Sequence, residues 1–399
     1  MLTSLAFVFL TGLAAASICQ RIGLPRIIGM LIAGIVIGPH VFNLLDPSIL
    51  GISADLRQMA LIIILLKAGL TLNLSDLKKV GRPAVLMSFV PACFEVIAYV
   101  LFAPQLLGIA RMDAAVLGAV MSAVSPAVVV PRMVHLIESQ YGTMHCVPQL
   151  ILAGTSCDDV FVIVLFSTFT TMAQGGSARI TDFINIPISI FLGIVIGSAV
   201  GWTLSLFFEV MSSHQQEIRS SLKTIITLSI SFLLLALEAH IKKYIAISGL
   251  LAVIGMACIL QIKCPPSASE KLSAKFGKLW LGAEVLLFVL VGAAVDIRYT
   301  LNAGIPAVIM IIAALLIRST GVFLCLIGTQ LNRKERIFCI IAYLPKATVQ
   351  AAIGAVPLAL GLPCGQIILS VAVLGIMITA PLGALGIDLG YSTLLTHDE

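Results

Sequence analysis

The stretch GRPAVLM, Gly81–Met87, returns 223 residues later as GIPAVIM, Gly304–Met310. The same offset pairs Gly69 with Gly292, Leu72 with Val295, Asn73 with Asp296 and Leu74 with Ile297. Farther upstream, GMLIAG at Gly29 matches GLLAVIG at Gly249 after a slip of three residues. A run of matches at one offset marks an internal repeat, and its meaning depends on what lies between the copies.

What lies between is apolar. Of the 399 residues, 59% are hydrophobic and 11% charged, with a mean hydropathy of +1.11, so the chain is expected to be an integral, multi-pass membrane protein. Runs of about 18 residues or more, enough to cross a hydrocarbon core of about 30 Å, number thirteen, near 3–20, 26–42, 57–74, 84–107, 114–132, 147–173, 183–209, 221–239, 244–262, 279–297, 303–329, 336–359 and 364–390. The first of these lacks the basic start of a signal peptide and is read as a span. The longest polar connection is QIKCPPSASEKLSAKFGK, 261–278, so no soluble domain, regulatory tail or nucleotide-binding motif is expected.

Seven spans separate equivalent positions of the repeat, an odd number, so the second copy crosses in the opposite sense. The expected fold is all-α: two inverted six-helix repeats, 1–182 and 211–399, joined by a linker helix at 183–210. Inverted repeats of this kind build secondary transporters, with the substrate site near the midplane where the copies meet.

Orientation follows from loop charge. One set of alternate loops carries fifteen basic residues (Arg21, Arg26, Lys78, Lys79, Arg82, Arg132, Arg219, Lys223, Lys263, Lys271, Lys275, Lys278, Arg333, Lys334 and Arg336) and the other six (Arg57, Arg111, Arg179, Lys242, Lys243 and Arg298). The positive-inside rule then places the N-terminus outside and the C-terminus in the cytoplasm. The net charge of +5 is topological and points to no nucleic-acid partner. Nine cysteines without a CxxC pair, and no histidines at ligand spacing, argue against a disulfide framework, a transition-metal site or a resident cofactor.

Away from the span ends, only Lys67, Arg318 and Lys346 of the 24 basic residues fall inside spans, and the clear acidic counterparts are Glu95, Asp158, Asp159 and Glu284. Each costs at least about 2.5–3.5 kcal/mol at the bilayer centre unless partnered or solvated. Lys67 and Glu284 lie nearer the loops and are assigned no role. Glu95 and Arg318 are related by the repeat offset of 223 and are expected to form a buried ion pair. The offset also aligns SAVSPAVVVP, Ser122–Pro131, with PKATVQAAIG, Pro345–Gly354. Both are dense in residues that break a helix or bond its backbone, and proline frees carbonyls that need partners. Two broken helices facing each other offer dipole ends and carbonyls to an ion. Lys346 sits at the second break, and Asp158 and Asp159 on the span after the first. One lysine opposite two aspartates leaves negative charge, which suits a cation.

These motifs, SPAVVVP, the DD of the sixth span, RSTG at Arg318–Gly321 and LPKATVQAAIG at Leu344–Gly354, resemble the cation/proton antiporter superfamily in its aspartate-pair branch, most closely the NHA-type sodium/proton exchangers. The resemblance covers nearly the whole chain. It implies crossed broken helices in a core at about 84–173 and 303–390, the rest forming a scaffold and dimer domain, a homodimer, and exchange of Na⁺ or Li⁺ for H⁺ by an elevator-like movement. Asp159 would bind the cation or proton, with Asp158 beside it and Lys346 as charge partner of the aspartates. Glu95 and Arg318 match the buried pair of that branch. The expected setting is a bacterial inner membrane.

The chemistry agrees. Burial works against an ionised carboxylate and a nearby cation works for it, so H⁺ and Na⁺ can compete for one group. Thr155, Ser125 and backbone oxygens around Thr348 are candidates for the cation's oxygen shell. An intramembrane aspartyl protease also buries two aspartates, but adjacent helical residues point about 100° apart and cannot share a proton as a dyad. A sodium-coupled organic-solute symporter would need more polar side chains than the fifth, sixth and twelfth spans offer. A K⁺/H⁺ antiporter stays open, as does the number of protons moved per cation. Gly193, Gly197 and Gly201, spaced by four, form a ridge for close helix contact, within the chain or across a dimer.

Overall fold

The computed structural model describes residues 1–71, 81–175, 180–213, 219–241 and 247–397. The repeat positions Leu72, Asn73 and Leu74 and the loop residues Lys78, Lys79, Arg179, Lys242 and Lys243 lie outside them. The described residues are overwhelmingly helical, with one isolated β-bridge between Tyr141 and His397. Helix is the expected answer for such a composition, because a segment in hydrocarbon must satisfy its own backbone hydrogen bonds.

The elements in order are α1 (Leu2–Arg21), α2 (Arg26–Ile37), α3 (Pro47–Gly51), α4 (Ser53–Thr71), α5 (Arg82–Met87), α6 (Val90–Leu107), α7 (Arg111–Met121), α8 (Pro126–Glu138), α9 (Val147–Gly175), α10 (Ile180–Ser213), α11 (Ser220–Ile241), α12 (Gly249–Lys263), α13 (Pro266–Ala293), α14 (Ile297–Cys325), α15 (Arg333–Ala342), α16 (Thr348–Gly354), α17 (Val356–Ala359) and α18 (Gly365–Leu394). Every apolar segment of the sequence has helix over it. Among the described residues eight helical stretches are long and apolar enough to cross a membrane, and Arg26–Ile37, Phe161–Gly175, Gly249–Lys263 and Thr348–Ala359 are shorter apolar stretches.

The polar stretch 261–278 departs from expectation. Its start, 261–263, ends α12, only Cys264 and Pro265 form the connection, and from Pro266 it is the first part of the 28-residue helix α13. Proline at a helix start has no amide to lose, and the Ala, Glu, Lys and Leu that follow are strong helix formers, so the helix continues through polar sequence.

The chain divides into two compact units. One comprises Asp55–Leu72 and Gly175–Leu286. Its closest packing is between α10 and α12, where Cβ atoms on Gly193, Gly197 and Gly201 would fall 2.7, 2.1 and 2.6 Å from the carbonyls of Ser248, Ala252 and Met256. The register advances by four on both sides, so the two helices run in the same direction. The glycine ridge is thus used inside the chain, and the opposite side of α10 leaves Trp202, Phe207 and Val210 exposed.

The other unit comprises Met1–Ala54, Asn73–Gln174 and Leu287–Glu399. Here α6 lies along α14, with Gly321 against Pro91 and Phe94, and along α7, with Gly118 against Val96 and Tyr99. The long α18 packs on α8, α14, α15 and α16. One end of the bundle is tied by polar contacts. Arg132 on α8 makes two 2.8 Å bonds to Asp388 on α18, and His145 ahead of α9 meets Glu335 Oε1 at 2.8 Å. Glu335 also closes a capping box with Asn332 at the start of α15.

Candidate ion site

The fifth and twelfth apolar segments are both broken, and the breaks touch. The first lies at Ser122–Ser125 between α7 and α8, with Pro126 opening α8. Pro131 sits inside α8 and does not interrupt it. The second lies at Tyr343–Ala347 between α15 and α16. The Ser125 amide donates to the Pro345 carbonyl at 2.8 Å, joining the two breaks through backbone.

The carbonyls freed at the end of α7 were expected to be available to an ion. Instead each has a side-chain donor: Lys346 Nζ on Met121 O, Arg318 Nη1 on Ser122 O and Gln350 Nε2 on Ala123 O. The reason is electrostatic. A helix C-terminus carries partial negative charge and draws cations, and the protein supplies two of its own.

Lys346 also departs from expectation. Its ammonium hydrogen-bonds to neither aspartate but donates to Glu95 Oε2 at 2.8 Å, and it acts on Asp158 through its charge alone. Arg318 Nη1 donates to the same Glu95 oxygen at 2.8 Å, so one carboxylate on α6 lies between two cations. Arg318 uses its planar fork in full: Nη2 reaches Asp158 Oδ2 at 3.3 Å and Nε donates to the Tyr343 carbonyl at 3.2 Å, with the guanidinium 5.6 Å over the Tyr343 ring. A lysine could not span Glu95 and Asp158 in this way.

The adjacent aspartates lie in different surroundings, as their angular separation on α9 requires. Asp158 is fully buried, and its Oδ2 accepts from the Val124 amide at 2.9 Å and from Arg318. Asp159 accepts no hydrogen bond: its Oδ1 is buried without a partner, and 9% of the side chain is exposed, against none for Asp158, Glu95 and Lys346. Counted in ordinary ionic forms, Glu95, Asp158, Asp159, Arg318 and Lys346 leave one negative charge in a buried cluster.

Of the proposed shell oxygens, Thr155 Oγ1 donates to the Ile151 carbonyl of its own helix at 2.8 Å, whereas Ser125 Oγ and Thr348 Oγ1 are buried without partners. Three contributors went unassigned in the sequence. Gln350 counts in the sequence among the backbone-bonding residues of the second broken segment, and it does bond backbone, at Ala123 O, but its neutral side chain gave it no role at the site. Thr379 on α18, whose Oγ1 accepts the Lys346 amide at 3.0 Å, is a lone hydroxyl in an apolar run. Tyr343 acts through its carbonyl and ring, and its hydroxyl oxygen lies 2.0 Å from where a Cβ on Gly154 would sit, so Gly154 lets α9 close on it.

A family model described as "Sodium/hydrogen exchanger, transmembrane" matches residues 5–388. The chain is 34% identical over 386 residues to human "Sodium/hydrogen exchanger 9B2", covering 94% of this chain and 71% of that protein. It is 32% identical over 385 residues to human "Sodium/hydrogen exchanger 9B1", covering 91% and 71%. The solved structure of the sodium proton antiporter MjNhaP1 from Methanocaldococcus jannaschii at pH 8 matches with a TM-score of 0.81 at 21% identity, over 98% of this chain and 96% of that one. At that identity the likeness establishes the fold.

Proposed function

The chain belongs to the sodium/hydrogen exchanger family, and from that premise we propose that it exchanges Na⁺ or Li⁺ for H⁺ across the membrane, with Asp159 as the group that carries either ion. One observation carries the assignment: in a cluster where every other ionised side chain is committed to a protein partner, Asp159 is not. Asp158 is assigned to positioning, because its Oδ2 is held by Val124 and Arg318, leaving only Oδ1 without a partner, whereas Asp159 has no hydrogen bond to either. Lys346, held by Glu95 and by the end of α7, is assigned a fixed positive charge.

The single excess negative charge supports a stoichiometry. One Na⁺ or one H⁺ neutralises the cluster equally, so exchange is one for one and electroneutral. Neutrality in both loaded forms lets the site change its accessibility without carrying net charge into low dielectric, whereas the empty, charged form is held back. That asymmetry is what couples the two fluxes.

The movement is proposed as elevator-like, a core at about 84–173 and 303–390 shifting within a homodimer, supported by the family resemblance and by the repeat of GRPAVLM as GIPAVIM. Since the glycine ridge of α10 is occupied by α12, the dimer contact is sought elsewhere. The orientation, with the N-terminus outside, rests on the charge asymmetry of the loops.

Competition tests the shared site. In proteoliposomes with ΔpH and ion composition set independently, acidification is expected to raise the apparent KM for Na⁺ steeply while the maximal rate stays nearly constant. A KM that does not move with pH means separate sites for the two ions.

A further inference from the structure

The carboxamide of Gln350 does two things at the crossing of the broken helices. Its side chain is fully buried on α16, one turn after the second break. Nε2 donates to the carbonyl of Ala123 at 2.8 Å and lies 3.5 Å from that of Met121, both in the first broken segment. Carbonyl oxygens on that side decide the orientation of the amide, because an oxygen turned toward them would be repelled and the Ala123 carbonyl would lose its donor. Oε1 is therefore on the other edge of the amide plane, and it is buried without a hydrogen-bond partner. An amide oxygen taken out of water and left unmatched is costly. The three consecutive carbonyls of Met121, Ser122 and Ala123 have three donors, so it is acceptor oxygens that the cluster leaves unmatched: Gln350 Oε1 together with Glu95 Oε1, Asp158 Oδ1 and Asp159 Oδ1.

We propose that Gln350 Oε1 is an oxygen ligand of the transported alkali cation, held by its own Nε2 on Ala123 and joining Asp159 in the cation's shell. A neutral carboxamide oxygen is a hard donor of the kind small alkali cations take when they leave water. It also fits the charge balance, since it solvates the ion without adding to the single negative charge that Na⁺ neutralises. Ser125 Oγ and Thr348 Oγ1, unpartnered on the same two broken segments, show that Gln350 is one of several oxygens the fold leaves unmatched there. When the site carries H⁺ instead, Oε1 has no ion to solvate, so Gln350 acts on the cation half of the cycle.

The proposal rests on Asp159 as the cation-binding carboxylate, and two substitutions separate it from that reading. Gln350→Met keeps the size of the side chain and removes both polar ends; Gln350→Glu keeps an oxygen and removes the obligatory donor. The readouts are the apparent KM for Na⁺ and for Li⁺, the maximal rate, and the thermal stabilisation that Na⁺ gives to purified protein. Gln350→Met is expected to raise the KM for Na⁺ roughly 10- to 100-fold, the scale of one lost bond to a charged group, with loss of Na⁺-dependent stabilisation. Gln350→Glu, which loses the donor to Ala123 and when ionised takes the empty cluster to minus two, is expected to keep the KM within about threefold of native or lower it, while its maximal rate falls because one cation no longer neutralises the site. Equal losses in both variants mean that the amide serves only to hold Ala123, and a native KM in Gln350→Met means that Oε1 touches no ion; either overturns the proposal. Should Gln350→Met fail to fold, Gln350→Leu, which also removes both polar ends without changing the charge of the cluster, takes its place under the same two readings. If instead Asp159→Asn exchanges normally, the fault lies in the site assignment and not in Gln350.

Discussion

Proteoliposomes containing Asp159→Asn are expected to show no Na⁺-dependent H⁺ flux above that of empty liposomes. The amide matches the carboxylate in size, so packing on α9 is retained, but it can neither titrate nor neutralise a cation. The cluster then stands neutral without any ion, and its movement between the two faces is no longer tied to a load. Asp158→Asn separates the carrier from its neighbour. Its remaining oxygen still accepts the Val124 amide, while the charge opposite Arg318 is lost. Lower thermal stability and severely reduced exchange are expected there too, since the empty cluster is again neutral, but Na⁺ should still displace a proton from Asp159, which it cannot do in Asp159→Asn. Native exchange in Asp159→Asn would remove that residue from the mechanism.

The second large effect is expected at Glu95, which lies between Arg318 and Lys346. Removing one partner of a buried ion pair costs roughly 3–5 kcal/mol, because the other charge is left uncompensated. Glu95→Gln strands two cations and takes the net charge of the cluster from minus one to zero. Arg318→Gln strands Glu95 in part and Asp158 in part, and takes it to minus two. The double variant restores minus one and leaves Lys346 on the carbonyl of Met121. Both single variants should therefore unfold at lower temperature and exchange poorly, Glu95→Gln the more severely. The double variant should lose less than the sum, a coupling read from a double-mutant cycle in detergent and again in lipid. Strictly additive losses in both media would mean that the contact carries no energy.

The charged members of this cluster were legible in the sequence because hydrocarbon makes charge conspicuous. Glu95, Asp158, Asp159, Arg318 and Lys346 stand out in apolar runs, and the offset of 223 residues linked Glu95 to Arg318 before any contact was visible. The positions of the breaks were legible for a similar reason, since SPAVVVP and PKATVQAAIG concentrate residues that interrupt a backbone ladder.

Which partner each charge takes was not legible. Lys346 is closer in sequence logic to the aspartates, but its long, flexible stem lets it reach Glu95 and the end of α7, and no pattern of residue types encodes that choice. Backbone groups are silent in sequence altogether. The carbonyls of Met121, Ser122 and Ala123 and the amide of Val124 organise the site, yet any residue would present the same atoms. Helix propensity explains the other departure, in α13, where polar residues that form helix well resemble a connection by polarity alone.

The central claim, that one carboxylate carries either Na⁺ or H⁺, is tested most directly by counting protons. Purified protein in weakly buffered solution is titrated with Na⁺, and with Li⁺, while the protons released and the ions bound are both measured. At a pH where the unloaded site holds its proton, one proton released for each ion bound is the expected result, with neither release nor binding in Asp159→Asn. Cation binding without proton release, or unchanged release from Asp159→Asn, would contradict it.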